Sequence, residues 1–103
     1  LWQGRIAVIV EIDKELEDVF PRYLRNREED MLKMQTALEK KDFETLRQMG
    51  HKLAGNASGY GLIDLGEMAR ELERSAEGRQ YDKCRNVYSQ MKAYLGEIEP
   101  KFV

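Results

Sequence analysis

The chemistry available to this sequence centres on one imidazole. His51 is the only histidine in 103 residues, and it stands in the run Gly50-His51-Lys52-Leu53-Ala54-Gly55-Asn56-Ala57-Ser58-Gly59-Tyr60-Gly61. A neutral imidazole is a good nucleophile near neutral pH, because its ordinary pKa is about 6.5. The surrounding pattern is that of a helix. On a wheel of about 100° per residue with His51 at zero, Leu46, Met49, Leu53, Ala57 and Tyr60 fall between roughly 160° and 240°, with Phe43 and Gly50 at the edge. That arc is the expected core face, so His51 is expected opposite it, in solvent. Glu44, Arg47, Gln48, Ala54, Gly55 and Ser58 share the open face. They are small on the C-terminal side of His51 and long and polar on the N-terminal side.

Glycine inside a helix costs about 1 kcal/mol relative to alanine. Gly50 borders the apolar arc, where close packing against another helix would account for it. Gly55 lies on the open face one turn beyond His51, where packing within the domain gives no reason for it. Close approach of something from outside does. Other readings of the run are weaker. His51 with Glu44 lacks the pocket, nucleophile and metal cluster of an acid–base site. Gly55, Gly59 and Gly61 do not sit between a strand and a helix, as a dinucleotide fingerprint requires. Asn56-Ala57-Ser58 matches a glycosylation sequon but falls inside the expected helix.

The run from His51 to Gly61 resembles the signature of histidine phosphotransfer (HPt) domains, through His51, Leu53, Gly55, the small pair Ala57 and Ser58, and Gly61. Ala54 departs from the pattern, since the family usually has lysine or arginine there. Lys52 supplies a charge, but about 100° round the helix. The resemblance implies a small helical bundle that accepts and donates a phosphoryl group on His51, in exchange with receiver-domain aspartates of a two-component phosphorelay. On that reading the domain is a carrier and not an enzyme, and it needs no cofactor of its own. The Mg²⁺ and the aspartate belong to a response-regulator receiver domain or a hybrid histidine kinase. Lys52 and Arg47 are the candidates to stabilise the phosphate. Gln48, Ala54, Gly55 and Ser58 are candidates for receiver docking, and Gly61 is a structural part of the motif. Two alternatives are a helical interaction module in which His51 is incidental, and an HPt module cut from a larger hybrid histidine kinase.

Composition agrees with a single helix-rich domain. The chain is 42% hydrophobic and 35% charged, with a formal net charge of −2, values of a folded globule rather than a disordered chain. No basic stripe exists, so nucleic acid is not expected as a partner. The single cysteine excludes an internal disulfide and fits a reducing compartment, hence the cytoplasm. One histidine and one cysteine do not make a structural zinc site. No apolar run approaches the ~20 residues needed to span a bilayer. No signal peptide is recognisable, and Leu1 in place of an initiator methionine is what a trimmed chain or a piece of a longer protein would show. A monomer is expected.

The elements that must position His51 follow in chain order. Leu1–Gly4 is expected to be an unstructured start. Arg5–Ile12 is rich in β-branched residues and reads as an extended arm or short strand, giving an arm over 1–12 and a helical domain over 13–103. Asp13 is a candidate N-cap for a short helix that ends near Phe20, and Pro21 suits the first turn of the next. From Arg22 to Lys40, Leu24, Met31, Met34 and Leu38 recur at helical spacing. Asp42 is a good N-cap, with Thr45 three residues on, for the histidine helix over Phe43–Ser58. Gly59 or Gly61 suits a left-handed cap. Asp64 is a candidate cap for the next helix, whose stripe is Leu65, Met68, Ala69, Leu72 and Ala76 and whose stop is Gly78. Tyr81, Cys84, Tyr88, Met91, Leu95 and Ile98 mark the last helix, closed by Pro100, with Cys84 as a small core residue. Short connections between long helices predict an all-α, antiparallel up-down four-helix bundle with a short N-terminal helix and an extended arm.

Overall fold

A computed structural model of the chain describes residues 7–103. The expectations for Leu1–Gly4 and for the start of the arm at Arg5 lie outside the described residues. Four helices make up most of the structure: α1 (Phe20–Glu39), α2 (Phe43–Ala57), α3 (Ile63–Glu77) and α4 (Tyr81–Glu97). α1 packs on α2 and α4, α2 on α3, and α3 on α4, so the helices close a cycle around one core. Leu46, Leu53, Leu65, Leu72 and Met91 lie at its centre, fully or almost fully withdrawn from water. Cys84 is buried there too, and burial raises its thiol above the ordinary range.

Capping chemistry sets the start of the histidine helix. Asp42 Oδ1 accepts from Thr45 N at 3.1 Å, and its Oδ2 accepts from the Thr45 hydroxyl at 2.6 Å. These bonds satisfy a donor that the first turn leaves open, and the Thr45 hydroxyl, then its N–H, holds the Asp42 carboxyl below its usual value. At the far end, Ser58–Tyr60 continues as a tight 3₁₀ turn, and Gly61 follows at φ 81°. A Cβ at Gly61 would also lie 3.1 Å from Ile12 Cδ1 and 3.3 Å from the Glu11 carbonyl. Gly61 therefore serves the left-handed turn and the chain that passes over it.

The two helix-to-helix turns are built alike, without glycine at the left-handed position. Lys41 and Arg79 both take φ 53°. In each turn a 6→1 bond closes the helix, Asp42 N to Ala37 O at 2.8 Å and Gln80 N to Ser75 O at 2.9 Å, which is the Schellman pattern. Gly78, expected to stop α3, is its C-cap at φ −80°, and the left-handed residue is the next one. The two basic side chains cross over. Lys41 Nζ lies 5.1 Å from the Tyr81 ring centroid, and the Arg79 guanidinium 5.0 Å from that of Phe43. The turns thus brace the first residues of α4 and α2.

Three expectations are corrected. The segment after Asp13 is a single 3₁₀ turn, Lys14–Leu16, with Asp13 Oδ1 accepting from Glu15 N at 2.9 Å. Leu62, not Asp64, is the N-cap of α3, without a side-chain cap, and Asp64 falls in the first turn. The last helix ends at Glu97, before Ile98 and Pro100. Ile98–Phe102 forms strand β2, which pairs in parallel with strand β1 (Val8–Ile12), so that Val8 lies opposite Ile98 and Ile12 opposite Phe102. Pro100 tolerates this because each strand of a two-stranded sheet is an edge, and it holds Glu99 extended. Phe102 packs edge-on against Phe20 at 5.8 Å, and Tyr23 stacks on Tyr60 at 3.9 Å, linking this pairing to the end of the histidine helix.

Candidate functional site

The His51 side chain is 71% exposed on α2. The helix around it is turned further than the apolar pattern indicates. Its buried residues are Leu46, Gly50, Leu53, Ala54 and Ala57, while Phe43, Met49 and Tyr60 are only half-buried. The core arc is therefore displaced by about 40° toward Gly50 and Ala54. The cause is the tight α2–α3 contact. A Cβ at Gly50 would stand 2.8 Å from both Ala69 O and Glu73 N. Small residues on both helices let the backbones approach this closely.

That rotation corrects one site assignment and supplies a residue the sequence did not reveal. Ala54, expected on the open docking face, is 5% exposed and packs toward α3 near Gly66. Ala54→Lys would place an ammonium in that contact and is expected to cost about 2 kcal/mol or more. A thermal melt checks this, and parental stability would place position 54 in the open. His51 now sits beside α3, where its Nδ1 lies 2.8 Å from Glu73 Oε2, within hydrogen-bond distance. An ionised carboxylate can only accept, so in the neutral imidazole this contact favours the tautomer with the proton on Nδ1 and the lone pair on Nε2. Glu73 lies 22 positions along the chain. No local pattern points to it, since the pairing depends on how α2 and α3 register.

The other candidates separate by flank. Arg47 turns toward α3 and is held by Glu44, Nη2 to Oε1 at 2.6 Å and Nε to Oε2 at 3.1 Å. Gln48 Nε2 donates to the same Oε1 at 3.1 Å. Arg47, and then Gln48, hold the Glu44 carboxyl below its usual range. Lys52 is exposed on the other flank, in a groove of about 440 Å³ between α1 and α2 that also carries Arg27, Asp30 and Lys33. Gly55 is exposed, and nothing lies within 4 Å of where its Cβ would be. Ser58 is exposed at the end of the same helix. Asn56, the sequon residue, accepts from the Tyr23 hydroxyl at 2.5 Å and from Arg27 Nη1 at 3.1 Å. Its side chain is thereby engaged in joining α1 to α2.

Among the described residues no group of three His, Cys, Asp or Glu side chains could hold a metal ion, and no helix is long and apolar enough to cross a membrane.

A solvent-facing imidazole, oriented by a carboxylate from the next helix, is the kind of site on which a group can be carried. The family model for the Hpt domain matches residues 14–99, and the chain belongs to that family. Hpt domains take part in histidine phosphotransfer in phosphorelays, as phosphocarriers rather than catalytic enzymes, and they work with receiver domains and histidine kinases. No curated protein and no solved structure matches the chain.

Proposed function

We propose that His51 is the phosphoacceptor of this Hpt domain and that its Nε2 exchanges a phosphoryl group with the aspartate of a receiver domain. The observation that carries this is the exposed ring with Nδ1 bound to Glu73. Nε2 attacks the phosphorus of the aspartyl phosphate, the P–O bond to the aspartate breaks, and the carboxylate leaves. The positive charge that develops on the imidazole is delocalised to Nδ1–H, where Glu73 faces it. Return of the phosphoryl group reverses these steps. Phosphoryl transfer depends on in-line placement and charge stabilisation, and the Mg²⁺ that assists it would belong to the receiver. Lys52 and Arg47 are the cations nearest in sequence to the phosphoryl group. Gln48, Gly55 and Ser58 provide an accessible face for the partner. The reading carries with it an antiparallel up-down order of the four helices, which the crosswise contacts of the two turns support.

The test is incubation with phosphorylated receiver domains, followed by mapping of acid-labile phosphate. Phosphate on His51 supports the reading, whereas its absence across a broad receiver panel favours a helical interaction module. Glu73→Ala tests the orienting role. It is expected to slow transfer roughly tenfold and to shift the imidazole ¹⁵N signals away from the Nδ1–H tautomer, with Glu73→Gln intermediate because its amide oxygen still accepts. Unchanged rates and signals would leave Glu73 without such a role.

A further inference from the structure

The flank of α2 that faces α3 presents Arg47 to carboxylates of both helices, Glu44 on α2 and Glu73 and Glu77 on α3. Arg47 stands one turn before His51 and grips Glu44 at two points, 2.6 and 3.1 Å. Glu77 and Glu73 of α3 are close enough to act on it electrostatically, and Glu73 is itself bound to His51. Arg47 and Glu44 line an open groove of about 270 Å³ together with Glu77 and Arg79, so the guanidinium of Arg47 has room to swing. Residues three and four apart on a helix are neighbours, with Cβ atoms about 5–6 Å apart. Glu44 and His51 are therefore both within reach of Arg47. The other nearby cations are placed less well: the Arg79 guanidinium stands over the Phe43 ring at 5.0 Å, at the start of α2 and two turns from His51. Arg74 is bound to Glu71 at 2.8 Å, and Lys52 stands in the groove on the α1 side. Position 54 carries no charge.

A phosphoryl group on Nε2 adds about two negative charges and three acceptor oxygens to this cluster. It is a stronger acceptor for the planar guanidinium fork than a single carboxylate. We propose that Arg47 exchanges partners on phosphorylation. Glu44 holds it while His51 is free, and phosphohistidine draws it across one turn, so that Glu44 sets how firmly the domain retains its phosphoryl group. This rests on His51 being the phosphoacceptor. Arg47 would touch the phosphoryl oxygens, and Glu44 would act only through Arg47, as a positioning residue.

Phosphoramidate tests the exchange without a receiver. Its P–N bond breaks, a bond forms from phosphorus to His51 Nε2, and ammonia leaves with the proton it requires. The readouts are the phosphohistidine half-life at fixed pH by ³¹P NMR and the Arg47 Nε–H signal before and after phosphorylation. Neutralising the phosphoryl dianion stabilises it against loss as metaphosphate. Arg47→Gln should therefore shorten the half-life about fivefold, Glu44→Gln should lengthen it severalfold, and Glu44→Gln should have no effect in the Arg47→Gln background. The Arg47 Nε–H signal should move in the parent protein. Equal lengthening by Glu44→Gln in both backgrounds would overturn the proposal, because Glu44 would then act by direct repulsion. So would a stationary Arg47 signal, or identical half-lives in all four proteins. A parent protein that takes no phosphate on His51 would overturn the carrier reading along with it.

Discussion

His51→Gln is expected to abolish acid-labile phosphate while leaving the melting temperature within error of the parent. The chain has no second histidine to accept the group, so the loss should be complete rather than partial. The stability expectation follows from exposure. The side chain is 71% exposed and makes one hydrogen bond, to Glu73, and substitutions at such surface positions usually change stability by about 0.5 kcal/mol or less. Glutamine is chosen because its amide N–H can still reach the Glu73 carboxylate, so the carboxylate is not left facing a hole. The measurement pairs phosphate retention after base and acid treatment with a thermal melt of the same preparation. Acid-labile phosphate in the variant would place the acceptor elsewhere, and a large drop in melting temperature would mean that the ring supports the α2–α3 contact.

What the sequence made legible, and what it did not, divides along the range of the interactions involved. Asp42 with Thr45 is a local event between residues a few positions apart and stands where the sequence placed it, and of the two glycines the sequence offered for the left-handed turn, Gly59 and Gly61, the structure uses Gly61. The exposure of His51 was legible because large apolar residues cluster on the far side of the helix. Their centre of mass nevertheless misplaced the helix by about 40°. Gly50 and Ala54 add little to an apolar pattern, yet both are buried against α3, and a Cβ at Gly50 would not fit between the two backbones. Ala54 was assigned to the open face for that reason. Glu73 was invisible because its pairing with His51 depends on register between two helices. Strand β2 was hidden in the same way, because its five residues acquire extended pairing only from β1 at the other end of the chain. Lys41 and Arg79 were missed because non-glycine residues at positive φ are uncommon, and their aromatic partners lie on other helices.

The two glycines of the histidine helix should respond to the same substitution in opposite directions. At Gly50 an added Cβ would meet Ala69 O and Glu73 N at 2.8 Å and Glu73 Cα at 3.2 Å. All three are backbone atoms, so no rotamer change relieves the clash and α2 must move away from α3. Overpacking of this kind typically costs 1–3 kcal/mol, offset by about 1 kcal/mol because alanine is the better helix former. Gly50→Ala is therefore expected to be destabilising on balance, by roughly 1 kcal/mol, or about 4–8 °C in melting temperature for a domain of this size, and Gly50→Leu by considerably more. The moving backbone carries Glu73, so the His51 contact should loosen and phosphotransfer should slow in the molecules that remain folded. At Gly55 the Cβ meets nothing within 4 Å. Gly55→Ala should gain roughly 0.5–1 kcal/mol, and Gly55→Gln should fold at least as well as the parent. A longer side chain there stands about 40° from His51 on the exposed face. It should obstruct a receiver whose aspartate must come in line with the ring, where misplacement by about 1 Å can cost ~100-fold in rate. Melting temperature and transfer rate on the same four variants separate the two roles. A Gly50→Ala protein that melts with the parent would mean the helices part without cost. A Gly55→Gln protein that transfers at the parental rate would mean the partner approaches from another side.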